Sequence, residues 1–174
     1  MNITLQMYKR LGVKLVQNGI KMLNIAFNVK LKTMSSGNLK SLLASKGLLK
    51  TEFPDNKYWY PSIQTMRDIL EYDWIDNKKY ILNRFDCSSF SEVFKSHLKE
   101  IYGINCIGVV KHSEQVNANT GKHIAWHRFN IIIVDNNGLE VYALEPQNDK
   151  VVKIELNKRL IFGDKEYKIV DIEF

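Results

Sequence analysis

Phe85-Asp86-Cys87-Ser88-Ser89-Phe90 opens the stretch that decides the fold, and Gly103 closes it. Between them Phe90, Val93, Phe94, Leu98 and Ile101 recur at three- and four-residue intervals, which is the spacing of one helical face. Ser89 and Glu92 have capping-box spacing near its start, and a glycine such as Gly103 takes the left-handed conformation that ends a helix. The spacing predicts a helix over 87–102.

Downstream of Gly103 the pattern changes to strands. Ile104–Lys111, His127–Asp135, Leu139–Glu145, Val151–Glu155 and Tyr167–Glu173 are rich in β-branched and aromatic residues. Asn136-Asn137-Gly138 between the second and third is a hairpin signal. Upstream, Ile63, Met66, Ile69 and Leu70 predict a helix over 62–72, and Leu39–Leu49 a short helix or turn ending near Gly47. Helices first and antiparallel strands afterwards point to an α+β class.

The first 33 residues read differently. Arg10, Lys14, Lys21 and Lys32 fall in one sector of a helical wheel, opposite Leu5, Tyr8, Leu15, Val16, Ile20 and Leu23. Ile25, Phe27, Val29 and Leu31 then alternate with polar or small residues, as in a strand. The division expected is a basic segment over 1–35 and a domain over 36–174.

Charge follows that division. The chain has 174 residues and a formal net charge of +6. Residues 1–50 hold eight Lys, one Arg and no Asp or Glu, so the rest is mildly acidic. Nine like charges could hold an acidic partner such as nucleic acid, a membrane surface or a virion protein. A solvated basic face is the plain alternative. No apolar run has the length of a membrane span, and the lysines interrupt any signal-peptide pattern. The expected location is soluble, intracellular or virion-associated. Two cysteines, Cys87 and Cys106, make no disulfide framework and have no zinc spacing.

Three features could carry chemistry. Cys87 stands at the predicted helix start, where unpaired N–H groups and the helix dipole favour a thiolate. His127 opens a strand and Glu145 ends its hairpin partner. A turn centred on Asn136-Asn137 sets these two opposite each other. A Cys–His–Glu triad would use Cys87 as nucleophile, His127 as base and Glu145 to orient the ring, and needs no cofactor. Gln147 and the Cys87 N–H are the candidate groups for a developing oxyanion. His123 ranks behind His127 as base, and Asp73, Asp76 and Asp86 are carboxylates that could meet a cation.

Asp86-Cys87-x-x-Phe90, His127-x-x-Asn130 and Glu145-Pro146-Gln147 resemble the papain-like C-terminal domain of a fungal galactose-binding agglutinin, with related domains encoded in bacterial phages. Tyr58-Trp59-Tyr60-Pro61, Trp74 and Tyr80 are similar to that family's lead-in, so the resemblance covers residues from about 40 to 155. It implies a papain-like (transglutaminase-like) α+β fold. It implies a hydrolase, a thiol (cysteine) protease acting on protein or peptide, dependent on calcium, with Cys87, His127 and Glu145 as its triad. Ser88 and Ser89 depart from it, standing where that family carries acidic residues. This removes two oxygen ligands that a hard cation favours. The other function class is an inactive binding or structural module on the same fold, for instance a phage or virion component attached by its basic front segment.

Overall fold

The computed structural model describes residues 17–21, 24, 28–49 and 51–174. Most of the basic amphipathic stretch, and the alternation through Ile25 and Phe27, lie outside the described residues. Within them, residues 17–21 and Asn28 are helical, so the expected strand does not reach back to Asn28. The first strand is β1 (Lys32–Ser35), followed by α1 (Ser36–Ala44), β2 (Thr51–Glu52), β3 (Lys57–Tyr60) and α2 (Ile63–Tyr72). A short 3-10 turn over Ile75–Asn77 precedes α3 (Cys87–Tyr102). Then come β4 (Ile107–Asn117), β5 (His123–Asp135), β6 (Leu139–Glu145), β7 (Lys150–Lys153), β8 (Leu160–Phe162) and β9 (Lys165–Glu173).

The starts of α1, α2 and α3 each have a side chain that satisfies a free backbone donor. Ser35 accepts from the Asn38 N–H, Ser62 from the Thr65 N–H and Asp86 from the Ser88 N–H. The cap of α3 is thus Asp86, not the Ser89 and Glu92 pair. Gly103 ends α3 in the left-handed region at φ 69°. The buried stripe of α3 is Phe90, Phe94, His97, Leu98 and Tyr102. Ile101, expected inward, stands on the exposed side.

One seven-stranded sheet organises the described chain, in the order β2-β9-β4-β5-β6-β7, with β8 also on β9; β1 and β3 form a separate antiparallel pair. Along β5 the run Phe129–Val134 is buried without interruption, because both sheet faces are covered. Phe129, Ile131 and Ile133 join Tyr58, Phe162, Tyr167 and Phe174 on one face. Ile132 and Val134 join Met66, Ile69, Phe90, Phe94 and Leu98, the buried faces of α2 and α3, on the other.

This architecture corrects the papain-like (transglutaminase-like) α+β expectation of N-terminal helices followed by a C-terminal antiparallel sheet. Strands hold more of the described residues than helices do, and three of them lie in the front half of the chain. The sheet also draws on both ends: β2 pairs with β9 in parallel, Thr51 against Ile172. Thr51-Glu52 is too short to carry a period-two signal, and helical periodicity was the stronger pattern in that half. Among the described residues no helix is long and apolar enough to cross a membrane.

Gly108 on β4 marks the tightest approach in the sheet. A Cβ there would sit 2.7 Å from Ile172 Cγ2 and 2.9 Å from the Phe174 ring. Gly108→Ala is expected to destabilise the fold by about 1–3 kcal/mol, read as a lowered urea midpoint.

Candidate functional site

Cys87, His127 and Glu145 meet at one end of the sheet, in a cleft of about 420 Å³ that Gln147, Tyr80, Trp126 and Tyr167 also line. Cys87 is the first residue of α3, set there by the Asp86 cap. The Asp86 carboxylate is engaged by the Ser88 N–H at 3.1 Å and the Ser88 hydroxyl at 2.6 Å. Those bonds hold its carboxyl below the usual range, the Ser88 hydroxyl first. Among the described residues no hydrogen bond uses the Cys87 N–H.

His127 and Glu145 reach each other differently from the expected register. The ladder runs from Asp135 opposite Leu139 to Asn130 opposite Leu144. The turn is therefore a three-residue loop, with Asn137 at φ 56° and Gly138 at φ 146°. Continuing that register places Phe129 opposite Glu145 and His127 one pleat farther on, on the same face. The contact is diagonal. The His127 Nε2 lies 2.5 Å from Glu145 Oε2. Phe129 stacks near the His127 ring, with centroids 6.3 Å apart, and Tyr167 packs against it at 5.5 Å. Gln115 holds Tyr167 in place, its Nε2 donating to the Tyr167 hydroxyl at 2.7 Å. Sequence reasoning missed Tyr167 and Gln115, which carry no motif of their own.

Electrostatics distinguish the two cysteines. Burial pushes both thiols up. For Cys106 nothing opposes it, and that thiol stays protonated in the core. For Cys87 the His127 ring, the Arg128 backbone N–H and the His127 charge outweigh burial, and the net shift is downward. Burial lowers the His127 pKa, but its hydrogen bonds to Cys87 and Glu145 and their charges push it up to about 9. Because Glu145 occupies Nε2, Nδ1 is the ring nitrogen left for the sulfur. The pair is thus shifted toward thiolate and imidazolium relative to a free thiol and a free imidazole.

The other sequence candidates stand apart. His123 is exposed and lies 3.4 Å from Glu114, so it belongs to a surface pair. Gln147 lines the cleft, and its backbone N–H donates weakly to Glu145 Oε1 at 3.4 Å. Asp73 is buried 3.0 Å from His97 Nδ1. The residues around Cys87 do not fit calcium. Ser88 and Ser89 offer no carboxylate, Asp86 is spent on its cap, and no group of three His, Cys, Asp or Glu among the described residues is set to hold a metal ion.

Asp149, just past Gln147, is a further group with a displaced titration. Burial, then the charges of Asp76 and Asp73, raise its carboxyl from 3.8 to about 7. A folded-state pKa above the unfolded one means the native state holds the proton more tightly. Stability is then lost as pH rises from 3.8 through about 7. Asp149→Asn is expected to raise the Tm at about pH 8, and the gap from wild type should close below about pH 4.

No family model and no curated protein matches the sequence. Solved structures do. PSL1a in complex with E64 superposes with a TM-score of 0.56 at 21% identity, covering 82% of this chain and 51% of that one. The Polyporus squamosus lectin bound to the human-type influenza-binding epitope Neu5Aca2-6Galb1-4GlcNAc also gives 0.56, at 17% identity, covering 82% of this chain and 49% of that one. The chain thus spans about half the length of these neighbours. Their likeness supports the fungal agglutinin resemblance at the level of fold. It corrects the hydrolase, cysteine (thiol) protease and papain-like expectations, because the fold matched is that of a protein named as a lectin. Short motifs specify which residue types could meet, not which protein they serve.

Proposed function

We propose that the chain is a ligand-binding module whose cleft carries a nucleophilic thiolate, with acyl transfer as its chemistry. The observation that carries this reading is the setting of His127: Glu145 holds its Nε2 at 2.5 Å in the same cleft as Cys87, whose thiol pKa the ring lowers. A structural cysteine has no use for a partly buried imidazole held by a buried carboxylate, whereas a nucleophile does.

In the proposed step the Cys87 thiolate attacks the carbonyl carbon of a bound acyl donor, forming a C–S bond. The carbonyl electrons move to oxygen, where the free Cys87 N–H and the Gln147 side chain donate. As they return, the bond to the leaving group breaks and His127 Nδ1–H gives that group its proton. Neutral Nδ1 then takes a proton from the acceptor, which attacks the thioester and releases the thiolate. Glu145 keeps the ring in the required tautomer and stabilises its charged form. No step uses a metal.

The second reading is ligand binding without covalent chemistry, favoured by the neighbour's name and its bound oligosaccharide. E64, the compound in the first neighbour's complex, separates the two. Incubation of the native protein with E64 is expected to give one adduct by intact mass, located at Cys87 and absent in Cys87→Ala. A native protein that stays unlabelled while its unfolded chain reacts with iodoacetamide contradicts the acyl-transfer reading. Retained binding of the sialylated trisaccharide by Cys87→Ala would then support the second.

A further inference from the structure

Lys150 and Lys165 both line the cleft that holds Cys87 and His127, and strand pairing sets each on the sheet face of the imidazole. Lys150 opens β7 directly opposite Glu145 on β6, and side chains paired in this way share a face. Lys165 opens β9 opposite Phe162 on β8 and two residues before Tyr167. Alternation along the strand puts it on the face of those two rings. Tyr167 packs against the His127 ring, so that face is the site's own.

Among the described residues neither ammonium group pairs with a carboxylate, and both lysines are exposed. The same two strands supply the contrast. Lys153, on the other face of β7, pairs with Glu140, and Lys168, on the other face of β9, lies 3.6 Å from Glu114. Glu145, directly opposite Lys150, is engaged by His127 and by the Gln147 N–H. Outside the triad, Asp164 is the one carboxylate that lines the cleft against these two lysines, and Gln147 and Asn148 add polar wall.

The strand order β9-β4-β5-β6-β7 places the two lysines on opposite sides of His127, each two strands away. At the usual strand spacing that is roughly 10 Å to either side. A ligand lying across the strands over His127 therefore meets an ammonium group in both directions. Unpaired cations lining a cleft raise the local concentration of anionic ligands.

We propose that the acyl donor taken by this cleft carries a carboxylate beyond its reactive carbonyl, read by Lys150 and Lys165. The proposal rests on the acyl-transfer reading and names its substrate class. A neutral or cationic donor of the same length would leave both ammonium groups without a counter-ion.

The test uses the p-nitrophenyl monoesters of adipic, hexanoic and 6-aminohexanoic acids with the full chain. These share one carbon chain and end in a carboxylate, a methyl and an ammonium group. At low ionic strength the adipate ester is expected to lead the hexanoate ester in kcat/KM by about fivefold, the upper end for one exposed ion pair, with the aminohexanoate ester last. The lead should shrink in about 0.5 M sodium chloride. The double variant Lys150→Gln/Lys165→Gln should lose it, while alkylation of Cys87 by neutral iodoacetamide, which reports the thiolate, changes little. Equal use of the adipate and hexanoate esters by wild type overturns the proposal, as does a lead unchanged in the double variant, and either leaves the thiolate reading intact. If no ester turns over and Cys87 still alkylates fast, the rate of anionic iodoacetate relative to iodoacetamide decides. A ratio that falls in the double variant supports the proposal, and an unchanged one overturns it. Turnover of no ester, with Cys87 alkylated no faster than an ordinary thiol, overturns both readings.

Discussion

His127→Asn is expected to slow alkylation of Cys87 by iodoacetamide about tenfold at pH 7. The reasoning follows from what opposes what at the sulfur. Burial alone pushes the Cys87 thiol up, and the His127 hydrogen bond and charge, with the Arg128 N–H, bring it down. Removing the imidazole leaves the Arg128 N–H alone against burial and the Asp86 charge, both of which raise the pKa. Each unit gained removes about tenfold of the thiolate, while the surviving thiolate becomes roughly threefold more nucleophilic. Loss of both His127 contributions is therefore expected to slow alkylation on the order of tenfold. Glu145→Gln should act in the same direction and less strongly, because it lowers the His127 pKa from about 9 without removing the ring. A His127→Asn rate equal to wild type would mean that the ring does not control the sulfur.

Phe129→Ala is expected to have the largest effect on stability, about 3–5 kcal/mol by urea unfolding. Phe129 is fully buried, and its ring centroid lies 5.5 Å from Tyr167 and 6.0 Å from Phe162. The same ring stacks near His127. The substitution therefore removes a core side chain and one of the surfaces that fix the imidazole. Alkylation of Cys87 should slow in this variant even where it remains folded, and Phe129→Leu, which fills more of the space, should cost less on both measures.

The helix over 87–102 and the hairpin strand 139–145 were legible because their periodicities are long and uninterrupted. Cys87 and Glu145 were legible at a helix start and a strand end, whereas His127, expected to open its strand, lies inside β5, which begins at His123. What was hidden is tertiary. Strand β2 is two residues long, and its place beside β9 depends on the far end of the chain. The register of His127 and Glu145 depended on whether the Asn-Asn-Gly turn spends two residues or three, and Gly138 at φ 146° makes it three. Tyr58 and Tyr60 are core, but Trp59 and Trp74 are exposed, and Trp126 gave no signal of its exposure. Composition does not tell a core tryptophan from an exposed one. The papain-like reading failed at the same point. Local motifs carried it, and the arrangement of short strands around them was not encoded in any periodic pattern.

The ultraviolet thiolate titration of the native protein tests the central claim most directly, with Cys87→Ala as the blank. The account predicts a transition assigned to Cys87 that lies below the ordinary thiol value of 9.0, with thiolate already present at neutral pH, and its displacement upward in His127→Asn. A Cys87 transition at or above 9.0 that does not move when His127 is replaced would contradict it.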